Sequence, residues 1–143
     1  MRPVPKSWIV SLSYGKMYPA DLQHLTQDGR HHGIDYATPL GTAGSSGVNG
    51  VLNHRGFLRG YGLSMIVKFW TGMFWWKKMY RAIMGHLSEV ITSKKVGEKI
   101  SKYENIYRTG NSGAAKGYHL HYEIQEYTKN GWVSVDPEFV VGG

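Results

Sequence analysis

The sequence predicts a mainly β fold: a single compact domain of antiparallel sheets made from short strands, with long loops and little helix. Two observations carry this. The 19 glycines punctuate short runs of Val, Ile, Tyr and Trp. Among those runs, residues 64–70 alternate in the two-residue period of a strand with one buried face. At 143 residues the chain is one ordinary domain, 1–143, large enough for a real core.

The elements follow in order. Residues 8–12 are the first predicted strand, closed by Tyr14-Gly15. Residues 18–30 are polar and loop-like, with room for one helical turn, and 33–36 form a short strand. The stretch PLGTAGSSGVNG, 39–50, is small and turn-rich. Residues 51–58 pair with 64–70, and 76–86 return as the second arm of a hairpin. Residues 88–98 read as a polar loop or short helix, and 106–109 as a short strand. The last two strands, 118–127 and 132–135, are joined by Thr128-Lys129-Asn130-Gly131, and Asn-Gly is a strong turn signal.

Composition narrows the chemistry. There is no cysteine, which excludes a disulfide framework, a thiol nucleophile and a Cys-based zinc site. The net charge of +7 favours polyanionic partners: nucleic acid, anionic membrane or anionic cell wall. No basic cluster carries a nucleic-acid motif; Lys77-Lys78 and Lys94-Lys95 are scattered pairs. The longest apolar run, 65–76, is short and contains Lys68, so no membrane span is expected. The opening MRPVPKSW lacks the apolar stretch of a signal peptide.

The histidines are the main functional signal. In GYHLHYEI, His119 and His121 leave one face of a strand, roughly 6–7 Å apart at their backbones. That spacing suits one imidazole on a metal and the other beside it on a substrate or water; two exposed strand histidines are the plainer alternative. In HHGID, His31 and Asp35 would lie ~13 Å apart along a straight strand, whereas two ligands of one zinc need donor atoms ~3–3.5 Å apart. The chain must bend between them for a shared ion, and Gly33 permits the bend. A turn with a local hydrogen bond is the alternative. His86, in MGHLSEV, read alone is a structural histidine.

Read in order, HxGxD, GHLS and HLHYEI resemble the lysostaphin-type zinc endopeptidases, also called the LytM family, which cleave peptide bonds in bacterial peptidoglycan. The likeness runs along nearly the whole chain. It includes Ser13-Tyr14-Gly15, the run from Tyr36 through Gly41-Thr42, Gly50-Val51, Gly60-Tyr61-Gly62, Val96-Gly97, Thr109 to Gly113, and Asp136-Pro137. The resemblance implies a lysostaphin-type peptidase domain with its catalytic groove over the central sheet. It implies one Zn²⁺ on His31, Asp35 and His121, with His86 and His119 as unligated catalytic histidines. The implied activity is endopeptidase hydrolysis of peptidoglycan cross-bridges or cross-links by a water activated on zinc. Either His86 or His119 can serve as the base. The implied partners are peptidoglycan peptides rather than nucleic acid; the Met1 start and the aromatic hairpin suit a module of a larger phage or cell-wall assembly. The implied location is the cell wall, the extracellular space or a virion.

Other residues stand outside this set. His32 falls on the motif's variable position and is read as a non-ligand; His24 and His54 match no motif element. Glu123 continues the His119/His121 face and is read as an exposed salt-bridge residue rather than an orienter of a ligand imidazole. The hairpin 69–80 is unusually aromatic, and packing of its rings against a small β core is the expectation; a substrate-groove wall or an assembly contact is the alternative. Tyr118 stands where the family has Pro, and Lys102 to Asn105 replace a common turn. Two other functions compete: a degenerate cell-wall-binding or activator domain of the same fold, and a basic β-domain that binds nucleic acid or carbohydrate.

Overall fold

The computed structural model describes residues 3, 10–17, 30–113 and 117–142. Among them are eleven strands: β1 (Val10–Leu12), β2 (Ile34–Ala37), β3 (Ala43–Gly44), β4 (Gly50–Leu58), β5 (Gly62–Thr71), β6 (Lys78–Gly85), β7 (Leu87–Val90), β8 (Lys99–Ile100), β9 (Tyr107–Thr109), β10 (His119–Thr128) and β11 (Gly131–Val135). The mainly β, antiparallel class expected from the sequence is what forms. Trp8, in the first predicted strand, and His24 lie outside the described residues. No helix among the described residues is long and apolar enough to cross a membrane.

The large sheet runs β1-β2-β10-β6-β5-β4-β8. Strand β10 is its organising element. One edge pairs with β6 over His121–Glu126. The other edge is shared: β2 takes His119–Tyr122 and β11 takes Ile124–Thr128. A second sheet, β3-β9-β7, supplies the other side of the core.

Alternation sorts the faces. Leu120, Tyr122 and Ile124 of β10 enter the core with Ala82 and Met84 of β6, Met65 and Val67 of β5, and Ile34 and Tyr36 of β2. The small sheet adds Leu87 and Tyr107. The residues between them, His119, His121 and Glu123 on β10 and Asp35 on β2, therefore leave the opposite face. Two buried phenols tie the sheets: Tyr107 donates to the Ser45 carbonyl at 2.8 Å and Tyr122 to the Ser46 carbonyl at 2.7 Å. Burial pushes both hydroxyls well above their ordinary pKa, so both remain donors.

Three expectations are corrected. Residues 88–98 hold most of strand β7 rather than a loop or helix throughout; Leu87 is fully buried while Ser88 and Glu89 face outward. The two-residue strand β3 forms inside the stretch that looked turn-rich, because β9 completes it, and β8 forms against β4. The aromatic hairpin divides: Phe69 and Tyr80 at its base stack on each other in the core as expected, but its tip does not pack there. Residues Phe74–Trp76 form a 3-10 turn beyond the ends of β5 and β6, and none of them is buried.

Candidate functional site

The HHGID segment bends as its spacing requires. His32 and Gly33 form a bend, and β2 begins at Ile34. The reason for glycine is room rather than left-handed backbone. A Cβ at Gly33 would sit 2.6 Å from the Tyr122 carbonyl oxygen and 2.9 Å from Cε1 of His121. The bend brings His31 Nε2 to 3.1 Å from Asp35 Oδ1.

Register supplies the third group. His121 lies opposite Asp35 in the β10–β2 pair, on the same face. Its Nδ1 is 2.9 Å from Asp35 Oδ1 and 3.1 Å from His31 Nε2. One donor atom from each of His31, Asp35 and His121 lies within 4.8 Å of the others. Edges of about 3 Å are close to those of a tetrahedral zinc site with bonds near 2.0–2.2 Å.

Both imidazoles are aimed. Nδ1 of His31 lies 3.2 Å from the Ser13 carbonyl oxygen, which can only accept, so Nδ1 carries the proton and Nε2 turns its lone pair inward. Nε2 of His121 lies 3.0 Å from Glu123 Oε1, and by the same reasoning its Nδ1 is the inward nitrogen. Two ring nitrogens and a carboxylate oxygen thus converge on one point. Such a set is stable only with positive charge among the donors.

The proton equilibria express that demand. Burial opposes the charged form of Asp35, but hydrogen bonds and charge from His121 and His31 outweigh it and hold the carboxyl well below the usual carboxylate range. Burial also opposes the His121 imidazolium, but Asp35 and Glu123 outweigh it and push His121 up to about 10. In the metal-free chain His121 is therefore charged at neutral pH. With its pKa raised above 6.5, this charge stabilises the metal-free fold fully below pH 6.5, and the contribution is lost as pH rises through about 10. Metal on Nδ1 must displace that proton. Zinc binding at pH 7 is expected to release about one proton. Calorimetry in buffers of different ionisation heats measures it; zero release would show that His121 is neutral before binding.

Glu123 is not the exposed salt-bridge residue expected from the sequence. It is 2% exposed. Tyr61 donates to its Oε1 at 2.9 Å, while Gln125 and Ser134 donate to its Oε2 at 2.6 and 3.1 Å. With His121 these donors satisfy both oxygens. Burial raises the pKa of Glu123, but the His121 interaction and the other donors bring it below its ordinary value. Glu123→Ala is expected to weaken zinc binding by about 10–100-fold, as loss of an outer hydrogen-bond partner does. Competition against a chelator measures this, and unchanged affinity would remove Glu123 from the account.

His86 and His119 stand beside the trio. His119 Nε2 is 3.7 Å from Asp35 Oδ2, on the far side of that carboxylate from His31 and His121. The His86 and His119 rings lie 4.9 Å apart between centroids. His86 follows the last residue of β6 with φ 61, a left-handed backbone uncommon for a non-glycine residue. Its N–H donates to the Tyr61 carbonyl at 2.7 Å, and its Nδ1 donates to the Ser112 carbonyl at 2.6 Å. Nε2 is then its free lone pair. Burial, then the neighbouring His121 and His119, push His86 down to about 4. Burial likewise lowers His119, with Asp35 partly offsetting it. Both are neutral at pH 7.

The five residues singled out by the sequence thus meet in one place. His32 stands outside the trio, and His54 sits on β4 with its Nε2 3.2 Å from the Gly56 carbonyl. The sequence reading missed Tyr61, Gln125, Ser134 and the two orienting carbonyls of Ser13 and Ser112. For Gln125 the signal was present: it continues the His119-His121-Glu123 face. Backbone carbonyls leave no trace in residue identity.

Known proteins were compared with this geometry. The sequence profile of Peptidase family M23 matches residues 29–137. The chain belongs to peptidase family M23. The matched span contains all five residues of this M23 site. A relative, the peptidoglycan DD-endopeptidase ShyA of Vibrio cholerae, is 31% identical over 127 residues, covering 85% of this chain and 26% of that protein. The M23 chain therefore spans about a quarter of that relative's length. The catalytic domain of lysostaphin from Staphylococcus simulans shares the fold, with a TM-score of 0.73 at 19% identity, covering 95% of this chain and 93% of that one. A prophage-encoded M23 protein from Enterococcus faecalis, EnpA, gives a TM-score of 0.71 at 25% identity, with 98% and 95% covered for its catalytic domain.

Proposed function

We propose that this chain is a zinc-dependent endopeptidase that hydrolyses peptide bonds in bacterial peptidoglycan. One observation carries the reading. The outward nitrogens of His31 and His121 are bound to a carbonyl and a carboxylate, so the two inward ring nitrogens, Nε2 of His31 and Nδ1 of His121, meet Asp35 Oδ1 at 2.9–3.1 Å. The donor set, two neutral imidazoles and one carboxylate, is that of a catalytic zinc site that keeps an open position. The Vibrio relative, a peptidoglycan DD-endopeptidase, and the family match support the peptidoglycan substrate class.

Zinc in this site would polarise the scissile carbonyl and bring a water molecule's pKa toward neutrality. The chain's own residues do the rest. His31, Asp35 and His121 fix the position of the ion. Neutral His86 offers Nε2, and neutral His119 stands across from it. Either imidazole can take the proton of the attacking water and, as the imidazolium so formed, stand against the developing oxyanion before returning the proton to the leaving amine. Asp35 links the two groups, with Oδ1 among the metal donors and Oδ2 toward His119.

Chelation tests the whole reading. The protein is expected to carry about one zinc and to release soluble muropeptides from purified peptidoglycan. Chelator should stop release, and zinc should restore it. Undiminished cleavage in the chelated protein would overturn the proposal. Mass spectrometry of the products identifies the bond cut.

A further inference from the structure

The aromatic hairpin is left over by the peptidase reading. Strands β5 and β6 end at the Thr71–Lys78 pair, so residues 72–77 project beyond the sheet. Four successive apolar residues, Met73, Phe74, Trp75 and Trp76, form the apex, and Lys77 and Lys78 follow at once. Trp75 is 89% exposed and Phe74 75%; Met73 and Trp76 are exposed as well. Phe74 also holds φ 54, a backbone state rare for a bulky residue. Strain of this kind persists where something requires it. Here it builds no core, since nothing in the turn is buried. An apolar patch so concentrated marks a contact surface.

We propose that this tip docks the protein on the surface of an anionic phospholipid bilayer. Three features favour lipid. The apex projects beyond the last strand pair, where it can meet a surface. Its three rings lie in different planes: Trp75 and Trp76 cross at 86°, Phe74 and Trp76 at 70°, and Phe74 and Trp75 at 30°. Cations follow the apex at once, as phosphate groups would require. Lys77 lies 5.8 Å from the Trp70 ring, and the side chain of Lys78, 60% exposed, lies 3.4 Å from Glu126. Tryptophan at the apolar boundary with lysine at headgroup level is the arrangement of interfacial anchors. Anionic lipid adds attraction for each basic side chain near the surface.

The placement is productive. Strand β6 runs from Lys78 at the tip to Gly85 beside His86. Tip and site therefore stand at opposite ends of one strand, roughly 25–30 Å apart. Docking at the tip would leave the site, at the other end of the strand, uncovered. The proposal goes beyond the peptidase reading and stands independently of it.

The test uses the full chain with vesicles of phosphatidylcholine and phosphatidylglycerol, against phosphatidylcholine alone. Wild type should sediment with the mixed vesicles, less so at high salt, and brominated acyl chains should quench its tryptophan emission. Phe74→Ser and Trp75→Ser should each weaken partitioning by about tenfold or more, since each removes an exposed ring available for burial. Both should keep the wild-type Tm and chelator-sensitive hydrolysis. Lys77→Glu should abolish the preference for anionic lipid. Wild-type protein left in the supernatant would overturn the proposal, as would tip variants that bind like wild type. Loss of retention on purified peptidoglycan by Trp75→Ser, with lipid binding intact, would assign the tip to the wall polymer instead.

Discussion

His121→Ala is expected to lose both zinc and hydrolysis. The substitution removes one of three donors and leaves Asp35 and Glu123 without the group between them. The affinity loss should exceed the roughly 10–100-fold that an outer partner costs, and metal analysis after dialysis should find only background zinc. Part of the effect will be on folding. Asp35 keeps His31, and Glu123 keeps Tyr61, Gln125 and Ser134, but both lose the charge between them, and loss of one partner of a buried pair costs up to about 3–5 kcal/mol. Asp35→Asn separates the two effects. It keeps the side-chain shape and removes the anionic donor, so metal should be lost from a protein that still unfolds cooperatively. Retained zinc and full activity in His121→Ala would overturn the ligand assignment.

His119→Ala should behave in the opposite way: zinc retained, turnover reduced by about 10²–10⁴-fold, the usual range for a positioned acid or base. The contrast rests on geometry. His119 and His121 share a strand face, but only His121 contributes a donor atom to the trio, while His119 Nε2 lies toward the other oxygen of Asp35. His86→Ala should resemble His119→Ala, because His86 is held by the Ser112 and Tyr61 carbonyls rather than by the trio. Metal content and kcat, measured on the same preparations, decide the matter. Zinc loss from His119→Ala would mean that the two strand histidines have exchanged roles.

The parts of the site that were legible were side chains with a spacing. HxH states a shared strand face, and HxGxD states a bend with glycine inside it; the trio follows when β2 and β10 pair. The burial of Glu123 was not legible, because it depends on Tyr61, 62 positions away, and on Ser134 across the β10–β11 hairpin. The orienting carbonyls of Ser13 and Ser112 could not be read, since every residue has one. Among fold elements, the long alternating strands β5 and β10 announced themselves. Strand β7 did not, because only Leu87 of LSEV is fully buried. The hairpin tip misled in a different way. Its hydrophobicity suggested a place in the core, and hydrophobicity alone carries no information about direction.

The approach of Gly62 to Gly113 has a consequence for anyone who recombines these enzymes. A Cβ on either residue would come within 2.4 Å of the other's backbone nitrogen, so the two loops cross with no side chain between them. Tyr61, on one loop, reaches the carboxylate behind His121; Ser112, on the other, holds His86 and also bonds Leu63 and Leu87. The two loops form one inherited cassette. A chimera that imports residues 110–118 from a relative without residues 59–63 inherits a mismatch at the crossing and transmits it to the metal ligand and the catalytic histidine together. Grafts that move both loops at once are the ones that can change specificity while keeping a working centre.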